Sequence, residues 1–251
     1  MEQQTTTEAS FKLPAYKLID ICKLIKEFKT EVRFKFNNDG LFISEIDIPN
    51  ISLMNISLLK EHFSIYNLSE EVFFCLNIDS FYKTIKEQKK TDLSLCLNTE
   101  KTKLLIKSDS GFNSELTLLE VEAIKNIPSL DFNTSIKINT KTFKEAIKNL
   151  SNIGDTISFI LEDNTFKMRA KTPLNEGFID FNKDSYSILN ESYPAKSNYS
   201  SEYLLKLCKN ITIFNDVVIK FNNQYPLNVI MEAGSFEVSF ILAPKISGED
   251  E

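Results

Sequence analysis

Alternating apolar and polar positions mark four pairs of strands along the chain. Val32, Phe34 and Phe36 alternate up to Asn37-Asn38-Asp39-Gly40, and Leu41 and Ile43 resume the alternation beyond it. Leu93, Leu95 and Leu97 lead into Asn98-Thr99-Glu100-Lys101 and are followed by Leu104 and Ile106. Ile157, Phe159 and Leu161 precede Glu162-Asp163-Asn164, with Phe166 and Met168 after it. Val217, Ile219 and Phe221 precede Asn222-Asn223-Gln224, with Leu227, Val229 and Met231 after it. Period two on both sides of an Asn/Asp-rich turn predicts a β-hairpin with one buried face.

Ahead of each hairpin the period lengthens. Leu18, Ile21, Cys22 and Ile25 fall at i, i+3, i+4 and i+7, one face of a helix, and Phe143, Ala146, Ile147 and Leu150 repeat that spacing. Shorter versions are Phe81, Tyr82 and Ile85, and Leu204, Leu205 and Cys208. Asp79 or Ser80 is expected to cap the second helix, and Ser200 or Ser201 the fourth. The unit of helix, strand, turn and strand recurs about every 60 residues, a quarter of the 251-residue chain, with further strands between. Helices this short and amphipathic must lie on a sheet to bury their apolar faces, so the class is α+β.

Charge changes the picture. The formal net charge is −6, which argues against nucleic acid as a partner until its distribution is examined. The four helical stretches, 15–29, 78–90, 141–152 and 201–210, carry 13 lysines against 6 acidic residues. The rest of the chain carries 16 basic and 29 acidic residues. Lys23 and Lys26, Lys83 and Lys86, Lys141 and Lys144, and Lys206 and Lys209 recur at i, i+3 and share a helix face; Lys148 extends the third stripe. A solvated face explains one such stripe; four on an acidic protein predict a basic surface for a phosphate backbone, sequence-independent and salt-sensitive.

Catalytic chemistry finds little support. His62 is the single histidine and sits in the polar stretch Lys-Glu-His-Phe, where an ordinary surface residue is expected. The six glycines form neither GxGxxG nor GxxxxGK[ST], and there is no GxSxG or HExxH. Cys22, Cys75, Cys96 and Cys208 are scattered in apolar patterns without a CxxC pair, which reads as free thiols in a reducing compartment rather than disulfides or a zinc site. No apolar run approaches a membrane span, and the first residues lack a secretory signal's basic start and apolar stretch. No metal, cofactor or membrane is expected.

Several segments carry a resemblance. Phe240-Ile241-Leu242-Ala243-Pro244-Lys245-Ile246, followed by acidic residues, is the sharpest. Asn149-Leu150-Ser151-Asn152-Ile153-Gly154-Asp155, Leu119-Glu120-Val121-Glu122 with Ile127-Pro128, and Tyr225-Pro226-Leu227 follow. In order and on a four-fold pattern, these resemble the DNA sliding clamps of the proliferating cell nuclear antigen family, as a divergent member. The chain departs from the family at Asp47-Ile48-Pro49-Asn50-Ile51, where relatives have an Asp-Ser-Ser-His-Val-like loop. It departs again at Ile19 and Asp20, where many relatives are basic. That leaves Lys23 and Lys26 as the first helix's DNA contacts.

The resemblance implies an N-terminal clamp domain over 1–116, a connecting linker over 117–128, a C-terminal clamp domain over 129–246 and an acidic tail over 247–251. Each domain would place antiparallel sheets outside and two helices inside a ring of three two-domain subunits around double-stranded DNA. It implies a processivity factor, not an enzyme, working inside the cell with the DNA, in an archaeal cytoplasm or a eukaryotic nucleus. Polymerase, flap endonuclease, ligase and clamp loader would dock short peptide motifs in a pocket of Ile46, Ile51, Ile124, Ile127, Tyr225, Pro226, Ile241, Leu242, Ala243 and Pro244, although Leu242 is equally placed to face the core. Subunits, identical or sister, would meet at edge strands near Phe112 and Ser114 on one side and Gly177 and Ile179 on the other.

Two other readings stay open. A clamp-like subunit of a mixed ring, or a partner-binding module that does not encircle DNA, fits the weak basic character of the first helix. An enzyme built on acidic clusters would need converging carboxylates, and Glu120 and Glu122 lie two apart in a linker.

Overall fold

The computed structural model describes residues 9–120, 129–190 and 194–246, which fall into two compact units. The first runs to Glu45 and resumes at Asn55; the second takes in Ile46–Met54 and the described residues from 129 onward.

In chain order the first unit holds β1 (Ala9–Pro14), α1 (Ala15–Ile25), β2 (Glu31–Asn37), β3 (Gly40–Ile46), β4 (Ser52–Leu59), β5 (Ile65–Leu68), β6 (Val72–Asn77), α2 (Ile78–Ile85), β7 (Asp92–Leu97), β8 (Lys103–Ser108) and β9 (Asn113–Thr117). Its strands run in the orders β5-β1-β7-β8-β9 and β4-β3-β2-β6, although Ile46 at the end of β3 and Ser52–Met54 at the start of β4 belong to the second unit. The second unit holds β10 (Thr134–Asn139), α3 (Thr140–Ser151), β11 (Thr156–Glu162), β12 (Thr165–Lys171), β13 (Glu176–Asp180), β14 (Tyr186–Ile188), β15 (Ala195–Ser200), α4 (Ser201–Cys208), β16 (Asp216–Phe221), β17 (Leu227–Ala233) and β18 (Phe236–Leu242). Its orders are β14-β10-β16-β17-β18 and β13-β12-β11-β15. Adding nine to each strand label of the first unit gives the second, so the internal repeat read from the sequence is a repeat of topology.

All four predicted hairpins form, and the turn residues explain why. Asn37 Oδ1 accepts the Asp39 amide at 2.9 Å. Asn98 Oδ1 accepts the amides of Thr102 and Lys103, both at 2.8 Å. Asp163 and Asn164 take φ of +49° and +56°, the two left-handed positions of a tight hairpin turn, which Asp and Asn tolerate better than other side chains. The registers Leu95↔Ile106 and Phe159↔Met168 place the alternating apolar residues on one buried face.

The helices lie on these faces. Phe81 of α2 meets Phe34 edge-on at 5.8 Å, and Phe143 of α3 meets Phe159 at 6.4 Å. Such aromatic pairs are worth roughly 0.5–1.5 kcal/mol beyond burial alone. The cap expected at Asp79 or Ser80 is supplied instead by Asn77, whose Oδ1 accepts the Ser80 amide at 2.9 Å. Strand β6 passes into α2 without a loop, so the last strand residue becomes the cap. Asn139 does the same for α3 through the Lys141 amide at 3.0 Å. Ser200 precedes α4 without a side-chain capping bond.

Candidate functional site

The lysines of the four helices differ in how free they are. On α1, seven of eleven residues are buried, Ile19 among them, which leaves little room for a basic stripe. Lys23 lies 3.7 Å from Asp20, and Lys26 holds its ammonium 4.4 Å from the centre of the Tyr82 ring. Burial raises the Asp20 carboxyl above its ordinary range, with Lys23 opposing. On α2, Lys83 is exposed, as is Lys86 at the helix's end, which lies 3.7 Å from Glu87. On α3, Lys141 and Lys148 are exposed and Lys144 is half-buried; Lys209 of α4 is exposed. Lys206 pairs with Glu202 at 2.7 Å and lies 5.1 Å from the centre of the Tyr203 ring.

Between α3 and α4 runs an open groove of about 660 Å³. Lys141, Lys144, Lys148 and Lys209 rim it, and Cys208 and Phe214 are buried in its floor. The Cys208 thiol is pushed up to about 12 by burial, against the pull of Lys144, and stays neutral. Four cations on one concave surface suit a run of phosphates, and nothing here reads bases.

The described residues of the predicted peptide pocket fall within the second unit. Loop 47–51 is tied into a single conformation by Asp47, itself buried. Asp47 Oδ1 accepts the amides of Ile51 and Ser52, both at 2.8 Å, and the Asn50 amide donates to the Asp47 carbonyl at 3.1 Å. The Ala243 amide donates to the Ile51 carbonyl at 2.9 Å, so the loop is bonded to the chain leaving β18. Tyr225 is half-buried, edge-on to Phe132 at 5.6 Å, and its carbonyl accepts the Tyr199 hydroxyl at 2.8 Å.

Ile46, Pro226, Ile241, Ala243 and Pro244 are half-buried and Ile51 is exposed. Leu242 is fully buried and belongs to the core rather than to a pocket wall. Along β18 residues 236, 238, 240 and 242 point inward, so Ile241 is the one turned outward. Ile124 and Ile127, with most of the 117–128 linker, lie outside the described residues, as does the 247–251 tail. Sequence reading missed Ile48, which is 82% exposed beside the predicted pocket; the signal was an isoleucine between Asp and Pro in a polar loop.

The two predicted interface segments lie on edge strands, β9 and β13. Phe112, Ser114, Gly177 and Ile179 are half-buried, and Phe178 is 65% exposed. Gly177 has a packing reason of its own: a Cβ there would run into the Ile153 side chain. His62 is half-buried, not at the open surface; burial, then Lys17, lowers its ionisation.

The N-terminal and C-terminal domain models of proliferating cell nuclear antigen match residues 7–127 and 126–246. The DNA polymerase sliding clamp of Thermococcus onnurineus is 29% identical over 224 residues, covering 86% of this chain and 89% of that one. The sliding clamp of Thermococcus fumicolans is 28% identical over 240 residues, covering 92% and 96%. Among solved structures, A. fulgidus PCNA bound to the C-terminal region of FEN-1 superposes with a TM-score of 0.87 at 22% identity, covering 96% of this chain and all of that one. The Entamoeba histolytica protein gives 0.88 at 17% identity, with the same coverage. At these identities the structures speak for the fold alone.

Proposed function

Because the chain belongs to the proliferating cell nuclear antigen family and is a DNA sliding clamp rather than an enzyme, we propose that it closes a three-subunit ring through β9 and β13 and rides on phosphates through its helix lysines. The observation that carries the ring is the topological repeat. Strand β18 corresponds to β9, and β4 corresponds to β13. Within the second unit, the chain leaving β18 is bonded to the segment leading into β4 through Ala243 and Ile51. Strands β9 and β13 are the same pair left open among the described residues, and joining them between subunits satisfies the exposed backbone groups of both.

In that ring Lys83, Lys86, Lys141, Lys144, Lys148 and Lys209 supply most of the phosphate contact, with Lys206 beside them. Lys23 and Lys26 contribute less, since both are half-buried beside Asp20 and Tyr82, whereas Lys83 and Lys86 are exposed. Enclosure removes the need for tight binding: a closed ring cannot leave sideways, so contacts weak enough for sliding suffice. The surplus of acid elsewhere in the chain keeps duplex off the other faces.

Client proteins dock at the surface of Ile46, Ile51, Tyr225, Pro226, Ile241, Ala243 and Pro244, with Ile48 at its margin. The solved A. fulgidus complex with the FEN-1 C-terminal region supports a flap-endonuclease-like peptide as one client. Polymerase, ligase and clamp loader would use the same surface, and the protein works where the DNA is. The test is retention on a closed circle against the same duplex linearised. A clamp stays on the circle and slides off the line; equal loss from both would sink the ring.

A further inference from the structure

A part-buried hydrogen bond joins helix α4 to the loop at the client surface. The Tyr203 hydroxyl donates to Asp47 Oδ2 at 2.6 Å. The other oxygen of that carboxylate accepts the Ile51 and Ser52 amides at 2.8 Å. Asp47 is 5% exposed, and the loop it organises holds Ile48 and Ile51 out at 82% and 38% exposure. Asn50 takes a φ of +58° within this loop, a left-handed turn position that asparagine accepts, and its amide is bonded back to the Asp47 carbonyl at 3.1 Å. On the same ring, Lys206 sits 5.1 Å from the Tyr203 centroid.

We propose that Tyr203 is the positioning residue of the client-docking loop: its hydroxyl fixes the Asp47 carboxylate, and through Asp47 it sets where Ile48 and Ile51 stand. This rests on the client-surface reading above and adds to it a part that none of the pocket residues supplies. A carboxylate with one oxygen on two loop amides and the other on a phenol is held at both ends. Remove the phenol and the loop keeps its amide bonds on a side chain free to rotate. The same tyrosine carries on its ring a lysine of a DNA-facing helix, so phenol and ring serve two surfaces from one side chain.

The test begins on the free protein. Amide hydrogen exchange at Ile51 and Ser52 should quicken at least fivefold in Tyr203→Phe, while the β16 and β17 amides keep their rates. Unchanged exchange at both positions would overturn the proposal. Asp47→Asn, with one acceptor oxygen for three donors, should quicken the same two amides, and it decides the matter should the phenylalanine variant misfold. Binding of a synthetic peptide of the A. fulgidus FEN-1 C-terminal region should weaken three- to tenfold in each variant. The double variant should be no weaker than the weaker single, because both act through one bond; additive losses would overturn the proposal. If the unaltered protein does not bind the peptide, the client-surface reading fails, and the exchange result still decides whether Tyr203 holds the loop.

Discussion

The Lys245 ammonium lies 3.1 Å from Asp155 Oδ2, and the Lys245 amide donates to the Asn198 carbonyl at 2.7 Å. Two segments that carry the family resemblance, Leu242-Ala243-Pro244-Lys245-Ile246 and Ile153-Gly154-Asp155, therefore meet in space. The pair fixes the direction in which the chain leaves β18 past the client surface. The Lys245 hydrogen bond, then that of Thr156, holds the Asp155 carboxyl below its usual range. A depressed carboxylate stabilises the fold above its unfolded pKa and loses that contribution as pH falls through the folded value. Asp155 is 91% exposed, so screening keeps the effect to about 0.5 kcal/mol or less. A carbon-detected titration should show Asp155 moving up toward the ordinary carboxylate range in Lys245→Met, with the Thr156 hydrogen bond still holding it part of the way down.

Gly40 makes a sharper stability prediction. Its φ is +151°, and a Cβ there would strike the Leu58 carbonyl oxygen and come within 2.8 Å of the Leu59 Cα. Both are backbone atoms that cannot rotate away. Gly40→Ala should cost roughly 2–5 kcal/mol, from overpacking together with left-handed strain. Gly111 has a φ of +86° and open space around it, so Gly111→Ala should cost only about 1–2 kcal/mol. Chemical denaturation of the two variants side by side separates sterics from conformation.

Much of this fold was legible from the sequence because the hydrophobic pattern and the turn chemistry agree. Asn98 and the Asp163-Asn164 pair mark turns for reasons local to the residues themselves, and the inward registers follow from period two. The cap of α2 was misplaced at Asp79 or Ser80, because nothing local shows that β6 runs straight into the helix at Asn77. Leu242 was placed in the pocket by a motif, while its burial is set by strand phase. Tyr203 and Asp47 lie far apart in the chain, and only the folded second unit brings the phenol to the carboxylate. The lysines were legible as stripes, but not which of them were already engaged.

That difference in engagement predicts unequal charge-reversal effects. Lys83→Glu with Lys86→Glu, or Lys144→Glu with Lys148→Glu, should sharply reduce retention on circular DNA. The slope of log K against log salt should fall by about 2 for each pair, close to one for each phosphate no longer neutralised. Lys23→Glu with Lys26→Glu should change the slope by less than half as much, since those lysines sit against Asp20 and Tyr82. Equal slopes for all three pairs would show that α1 meets DNA as fully as the others.

Ring closure has its own signature. If β9 of one subunit pairs with β13 of the next, light scattering at micromolar protein should give three times the 28.8 kDa of one chain. In the β8–β9 register the Ser114 amide faces Ile106 of β8, so the amides of Asn113 and Glu115 are the ones turned to the open edge. A proline at Glu115 removes an outward amide without breaking the internal ladder. Glu115→Pro should lower the mass to that of one chain while leaving the circular dichroism spectrum and client peptide affinity in place. Gly177→Val should do the same from the other side, because its side chain must displace Ile153 and push β13 out of line. Mixing the two variants discriminates further: each keeps one sound edge, so a single junction forms between them and the mass stops at two chains. A monomer from the unaltered protein would instead mean that β9 and β13 wait for sister subunits with matching edges, and the same two substitutions would then block those partners one side at a time.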